Sequence, residues 1–227
     1  MGARHLGMNF VWGQCDPHAS VRPTTHFIRF LLDAVIHQEM VLPSIETVQA
    51  ACEHAAKKFK DSGPIFVQDV YDSIKVKRVW EDSDGIPTVE FLVATPEKFN
   101  NSMEMVHGGA SSTFCAVFST LALAGDMRWW PNSTPSEADL DNFVDNLGYS
   151  RALDVQIMQA VPLRSEVYVR GQILSRTKSN AYVVASIYNK SGKLLVRAFH
   201  DMIQRSYEPK NPKDPRYNNA SFYLTKL

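Results

Sequence analysis

The stretch Val106-His107-Gly108-Gly109-Ala110-Ser111-Ser112-Thr113 decides how this sequence folds. A histidine and two glycines open a segment that continues as an apolar helix from Ala110 to Leu123. Ala110, Phe114, Val117, Phe118 and Leu121 fall on one face, the stripe of a helix buried along its length. Two glycines let a backbone approach a ligand without side-chain obstruction. The first turn of a helix leaves N–H groups unpaired and carries a partial positive charge. Together they make a place where a carbonyl oxygen is polarised, which is a site for acyl chemistry.

Outward from this run the texture is that of strands. Phe66 to Val79 and Pro87 to Thr95 are rich in Val, Ile, Phe and Tyr, and the turn-forming Asp82-Ser83-Asp84-Gly85 joins them as a hairpin. Downstream, Ala152 to Ala160 alternates Leu153, Val155 and Ile157 against Asp154, Gln156 and Met158. Glu166 to Ser175 and Ala181 to Asn189 meet at a turn, Lys178-Ser179-Asn180. Asn189-Lys190-Ser191-Gly192-Lys193 then turns the chain into Leu194 to Gln204. Strands, one buried helix and a meander of strands predict an α+β architecture, with the helix on one face of an antiparallel sheet. Residues 126–147 interrupt it with Trp129-Trp130-Pro131 and a short capped helix opened by Ser136-Glu137-Ala138-Asp139.

Before the sheet, residues 1–24 lack a period, contain Pro17 and Pro23, and read as an extended arm. Thr25 to Met40 reads as a helix through Phe27, Phe30, Leu31, Val35 and Ile36. Its polar face is not basic, so it is expected to dock on protein rather than on a membrane surface. Ser44 caps a second helix running to about Lys60, with Val48, Ala51, Cys52, Ala55 and Phe59 as its buried stripe. The expected organisation is an arm with two helices over 1–62, a core domain over 63–206 and a polar, proline-bearing tail over 207–227.

Lys plus Arg and Asp plus Glu number 24 each, so no global field draws the chain to nucleic acid or an anionic membrane. Cys15, Cys52 and Cys115 are odd in number and widely spaced. They show neither a disulfide framework nor metal spacing, which points to a reducing compartment. No run of about 18 apolar residues predicts a membrane span. No signal peptide opens the chain, and Leu6 stands where myristoylation wants Ser or Thr. The cytoplasm is expected, although Thr225-Lys226-Leu227 is near the Ser-Lys-Leu peroxisomal address.

Taken together, Asn101…His107-Gly108-Gly109, the apolar helix, Asp154-Val155-Gln156…Pro162 and Asn189-Lys190-Ser191-Gly192-Lys193 resemble the hotdog-fold acyl-CoA thioesterases of the PaaI and THEM type, over roughly residues 65–205. The resemblance implies a long helix wrapped by an antiparallel sheet. It implies a homodimer, or a dimer of dimers, with active sites at the subunit interface. The only cofactor implied is the coenzyme A of the substrate, and no metal. By position, Gly109 N–H would polarise the thioester carbonyl, His107 would steady the loop or the thioester, and Asn101 would hold a water or the leaving group. The family's Asp or Glu, acting as base or nucleophile, stands nine positions after the histidine. Here that position is Ala116. The Ser or Thr that assists from the following strand falls on Ala152. The carbonyl-polarising half is present and the other half is blank, a loss worth several orders of magnitude in rate where the base is essential.

Other residues are candidates around the gap. Gly108, Ser111, Ser112 and Cys115 lie in the first turns of the helix as substrate contacts, with Cys115 an activated thiol or a small buried residue. Asp126, Asp139, Asp141 and Asp145 are candidate substitute acids, and Glu104 a candidate to orient His107. Trp129 and Trp130 read as a lid over the acyl group or as packing. Arg164, Arg170, Arg176, Lys178, Lys193 and Arg197 are candidate phosphate partners. Three functions follow. The chain hydrolyses an acyl-CoA or carrier-bound acyl or polyketide thioester with an altered catalytic set. Alternatively, it is a non-hydrolytic hotdog dehydratase, isomerase or cyclase of a biosynthetic pathway, or a non-catalytic acyl-thioester binder.

Overall fold

Ser44 accepts a hydrogen bond from the Thr47 N–H (3.1 Å) and so caps helix α1, Ile45–Asp61. The computed structural model describes residues 42–62, 68–177 and 179–204. The arm, the helix expected over 25–40, Cys15, Phe66, Val67, Lys178, the tail and its Thr-Lys-Leu end lie outside the described residues. α1 buries Val48, Ala51, Cys52 and Ala55 as expected. Phe59 is half-buried against Tyr71, with ring centroids 5.5 Å apart. Gln49 Oε1 of this helix accepts from the Val76 N–H (2.7 Å), which ties it to the segment that follows.

Gln68–Asp72 forms a short helix, α2, where the sequence suggested the start of a strand. Gln68 Nε2 donates to Asp72 Oδ1 across one turn (2.9 Å), and Val70 is buried, which favours the helical turn. The hairpin proper is β1, Lys75–Glu81, and β2, Pro87–Ala94. Asp82 Oδ1 closes its turn by accepting from the Asp84 and Ile86 N–H groups. There follow the central helix α3 (Gly108–Ala122), α4 (Glu137–Asp145), β3 (Tyr149–Ile157), β4 (Glu166–Arg176), β5 (Asn180–Tyr188) and β6 (Leu194–Ile203).

The six strands make one antiparallel sheet in the order β1-β2-β4-β5-β6-β3. The expected meander is therefore incomplete. β3 pairs with β6 instead of β4 and forms an outer edge of the sheet.

α3 lies directly on the sheet. A Cβ on Gly171 of β4 would stand 2.2 Å from Ala122 Cβ and 3.3 Å from the Phe118 carbonyl oxygen, so only glycine lets the helix approach this closely. Phe114, Phe118 and Leu121 are fully buried. Phe118 packs on Phe91 (5.1 Å between centroids) and Phe114 on Phe99 (5.2 Å, edge to face). Burial of such a side chain stabilises by about 1.5–3 kcal/mol each. Contrary to the sequence expectation, Gly108–Gly125 is long and apolar enough by composition to cross a membrane; 61% of it is buried inside the chain. A helix enclosed by a sheet is apolar nearly all round for the same reason as a membrane helix.

Residues 126–147 form a brace. Ser136 and Asp139 make the expected reciprocal capping box at the start of α4. Trp129 and Trp130 are each only 1% exposed and pack on Phe143 at 5.3 and 5.5 Å. Trp130 Nε1 donates to the Ala124 carbonyl (2.8 Å), and the Arg176 guanidinium stacks 3.8 Å from the Trp129 ring centre. These indoles hold the insertion to the core; they are not a lid.

Candidate active site

The site begins in the turn that delivers the chain to α3. Asn101 Oδ1 accepts from the Met103 and Met105 N–H groups (2.8 and 3.1 Å), tying a turn in which Glu104 takes φ +57°. The turn is anchored on both sides. Val106 N–H donates to the Val161 carbonyl (2.9 Å), and His107 N–H donates to the Phe99 carbonyl (2.7 Å). Asn101 thus shapes the loop through its oxygen, while Glu104 is exposed and its N–H donates to the Asn101 carbonyl.

His107 is the N-cap of α3. Its ring Nδ1 accepts from the Gly109 N–H at 3.0 Å. A neutral imidazole accepting at Nδ1 carries its hydrogen on Nε2. The Ser111 N–H donates to the His107 carbonyl (3.0 Å). The Gly109 amide, expected to polarise a substrate carbonyl, is therefore occupied by the histidine ring. The Gly108 and Ala110 amides have no partner among the described residues. Gly108 also marks a close approach: a Cβ there would lie 3.2 Å from Ile157 Cδ1 at the end of β3. A depression of about 430 Å³ opens at this first turn, lined by Lys98, Phe99, Asn100, His107, Gly109, Ala110 and Thr113. Thr113 was missed from the sequence; it stands one turn after Gly109 and donates its hydroxyl to that residue's carbonyl (2.9 Å).

The other candidates are placed as follows. Ser111 is buried at 1% exposure, and Ser112 Oγ donates to the Gly108 carbonyl (3.0 Å), so both serve the helix. Cys115 is fully buried, and burial pushes its thiol up to about 12, so the helix terminus does not activate it. Ala116 is half-buried and its carbonyl accepts from Ser119 and Thr120 hydroxyls.

None of the four insertion acids is free. Burial opposes ionisation of Asp126, but the Arg128 and Arg176 guanidiniums override it and hold its carboxyl well below the usual carboxylate range. Asp139 caps α4. Asp141 pairs with His54 and Lys58 (3.0 Å each), and Asp145 pairs with Lys58 (2.9 Å). Among the candidate phosphate partners, Arg164 pairs with Glu97, Arg170 with Glu90 and Arg176 with Asp126. Arg197 stacks over Phe199, with Cζ 5.6 Å from the ring centre. Lys193 is exposed. No cluster of three or more His, Cys, Asp or Glu gathers as metal ligands among the described residues.

Toward the far end of α3 the structure assembles three polar side chains that the sequence did not flag. Ser119 Oγ lies 2.6 Å from His200 Nδ1, and His200 Nε2 lies 2.8 Å from Ser150 Oγ. Ser119 and His200 are buried, and Ser150 is exposed. Burial pulls the His200 imidazole below its ordinary value, with Asp201 partly opposing. The three come from α3, β6 and β3, so no local spacing announces them.

No protein-family model matches the sequence, and no curated protein matches it significantly. Solved structures do. Zebrafish thioesterase superfamily member 2 is similar at 20% identity, covering 71% of this chain and 99% of that one, with a TM-score of 0.51. The mouse thioesterase superfamily member 2 follows at 19% identity, 70% and 98% coverage and a TM-score of 0.49. A Streptococcus mutans protein bound to acetyl-CoA is similar at 12% identity, 64% and 95% coverage and a TM-score of 0.45. The zebrafish match covers that chain almost completely. This chain therefore has the hotdog fold, the architecture of thioesterase superfamily member 2.

Proposed function

We propose that the chain is an enzyme acting on an acyl thioester, an acyl-CoA or a carrier-bound acyl group, whose carbonyl is polarised at the first turn of α3. The Gly108 amide carries this reading. It is unpaired among the described residues and stands at the positive end of a 15-residue helix, while the Gly109 amide is held by His107. His107 fixes the turn and presents a protonated Nε2. Support also comes from the fold shared with thioesterase superfamily member 2.

The site is proposed to form between two copies. β3 has no neighbour on its outer side among the described residues, and an exposed edge of nine residues invites pairing. Two-fold antiparallel pairing of β3 with its own copy closes both edges with one self-complementary contact.

Gly108→Pro tests the reading. Proline is tolerated at the first helical position, and His107 already has ψ 139°, the conformation that precedes proline. The variant removes the amide hydrogen. Thiol release from a panel of acyl-CoAs is expected to fall about 10²–10³-fold, with the circular dichroism spectrum unchanged. Wild-type silence across the panel, or full activity in the variant, would count against it. The alanine at 116 favours one second reading, carbonyl chemistry without hydrolysis, in which the same amide stabilises an enolate. Deuterium exchange into an acyl-CoA without thiol release would identify it.

A further inference from the structure

We propose that Ser150 is an acyl-accepting nucleophile, with His200 as its general base and Ser119 as the residue that positions the base. The hydrogen-bond partners favour one assignment of the protons in this relay. Ser119 Oγ lies 2.7 Å from the Cys115 carbonyl and 2.9 Å from the Ala116 carbonyl. Carbonyls only accept, so the single Ser119 hydroxyl hydrogen points at them. The 2.6 Å contact to His200 Nδ1 then requires the ring to donate from Nδ1. Nε2 is left with a bare lone pair, and the Ser150 hydroxyl donates to it at 2.8 Å. This is the arrangement of an activated serine: nucleophile, base and an orienting acceptor behind the base. Ser150 is exposed and His200 is 1% exposed, so the serine stands at the surface while the base is shielded.

The backbone is shaped for this. A register shift between Ser150 and Ala152 puts a bulge in β3. Arg151 bonds Asp201 (2.8 Å) and the Tyr182 hydroxyl (3.0 Å), while Ser150 turns to His200. Bulges re-aim single side chains in this way.

The inference rests on the acyl-thioester reading and on the two-copy site. α3 runs antiparallel to β3: Gly108 abuts Ile157, and Ser119 connects through His200 to Ser150. Gly108 and Ser119 are about 16 Å apart along the helix axis, so one chain cannot apply both to one carbonyl. Pairing β3 with its copy about Leu153, with the bulge counted, sets Ser150 opposite the partner's Val155 and on the same face, one pleat from the partner's Ile157 and therefore near the partner's Gly108. The amide of one copy and the serine of the other then face one thioester.

The Ser150 oxygen forms a bond to the carbonyl carbon as the C–S bond breaks. The hydroxyl proton passes to His200 Nε2 and from there to the departing thiolate. Water then attacks the acyl-serine through the same base, returning the proton to Ser150 and releasing the carboxylic acid.

The test is covalent labelling of the full chain with a fluorophosphonate, followed by mass mapping. The adduct is expected on Ser150 and is lost in Ser150→Ala and His200→Gln. Ser119→Ala is expected to lower the maximal labelling rate about tenfold at an unchanged half-saturating probe concentration, a split that loosened packing alone does not produce. Acyl-CoA turnover that survives Ser150→Ala, with no adduct on wild-type Ser150, overturns this inference and leaves the thioester reading standing. An adduct on Ser150 without turnover of any acyl-CoA supports the nucleophile and overturns the thioester reading. The wild-type adduct needs no variant to fold.

Discussion

Replacing Gly171 by alanine drives a methyl group into the central helix. The added Cβ would lie 2.2 Å from Ala122 Cβ, whereas carbon atoms rest at about 3.5–4.0 Å. The overlap is thus at least about 1.3 Å. It falls between two backbones, since the Phe118 carbonyl oxygen stands 3.3 Å away on the same side. No side-chain rotation relieves it. Either the last turns of α3 lift from β4, loosening the fully buried Phe118 and Leu121, or β4 buckles in mid-sheet. Overpacking of this kind costs about 1–3 kcal/mol, and a rigid backbone on each side argues for about 3. For a unit of this size that lowers the melting temperature by about 6–12 °C. Thermal melting by circular dichroism, with urea unfolding for the free energy, reads it. The pairing with Ala122→Gly is the sharper test. That substitution alone costs about 1 kcal/mol in helix propensity, yet it removes the methyl that Gly171→Ala strikes. The double variant is expected to be more stable than the sum of the two singles by about 1–3 kcal/mol. Additive effects, or a Gly171→Ala variant melting within about 2 °C of the parent, would refute the reasoning, because the helix would then not rest on this residue.

Three further outcomes are expected. His107→Ala removes the α3 cap and about 1 kcal/mol, visible as a lower urea midpoint, and lowers thiol release from acyl-CoA; an unchanged midpoint contradicts the cap. Cys115, its thiol raised to about 12 by burial, and the buried Cys52 resist iodoacetamide at pH 8 in the native protein and react in urea; rapid native alkylation of Cys115 would reopen its candidacy as a nucleophile. Asp126 has a depressed folded-state value, so its ion pairs stabilise fully above the ordinary carboxylate value of 3.8 and lose that contribution as pH falls below it. Asp126→Asn should cost about 3–5 kcal/mol at pH 7 and show a flatter loss of stability between pH 4 and pH 2 than the parent; equal melting at pH 7 contradicts it.

Much of the fold was legible because its signals are local. The apolar stripe from Ala110 to Leu121 marks a buried helix, and Ser44 and Ser136 mark helix starts by the hydrogen bonds their hydroxyls accept. Asp82 and Asn189 mark hairpin turns because each side-chain oxygen accepts from backbone amides two and four residues ahead. The segment before β1 was misread because Val70 and Tyr71 suit a strand by type, while the turn-long bond from Gln68 to Asp72 and the burial of Val70 favour a helix.

The sequence by itself determined that one helix starts at a His-Gly-Gly turn, that a sheet encloses it, and that no carboxylate stands at position 116. Periodicity, caps and residue identity carry that information within a few residues. Only the tertiary structure decided which amides are free. Strand-like bonds from Val106 and His107 to Val161 and Phe99 set the turn, in which the imidazole takes up the Gly109 N–H and leaves those of Gly108 and Ala110. It alone showed that the two tryptophans are core and that the insertion acids are paired. It alone joined Ser119, Ser150 and His200, which are 81 and 50 residues apart along the chain. A hydrogen bond across such distances leaves no period in the sequence, because the sheet, not the neighbouring residues, brings its partners together.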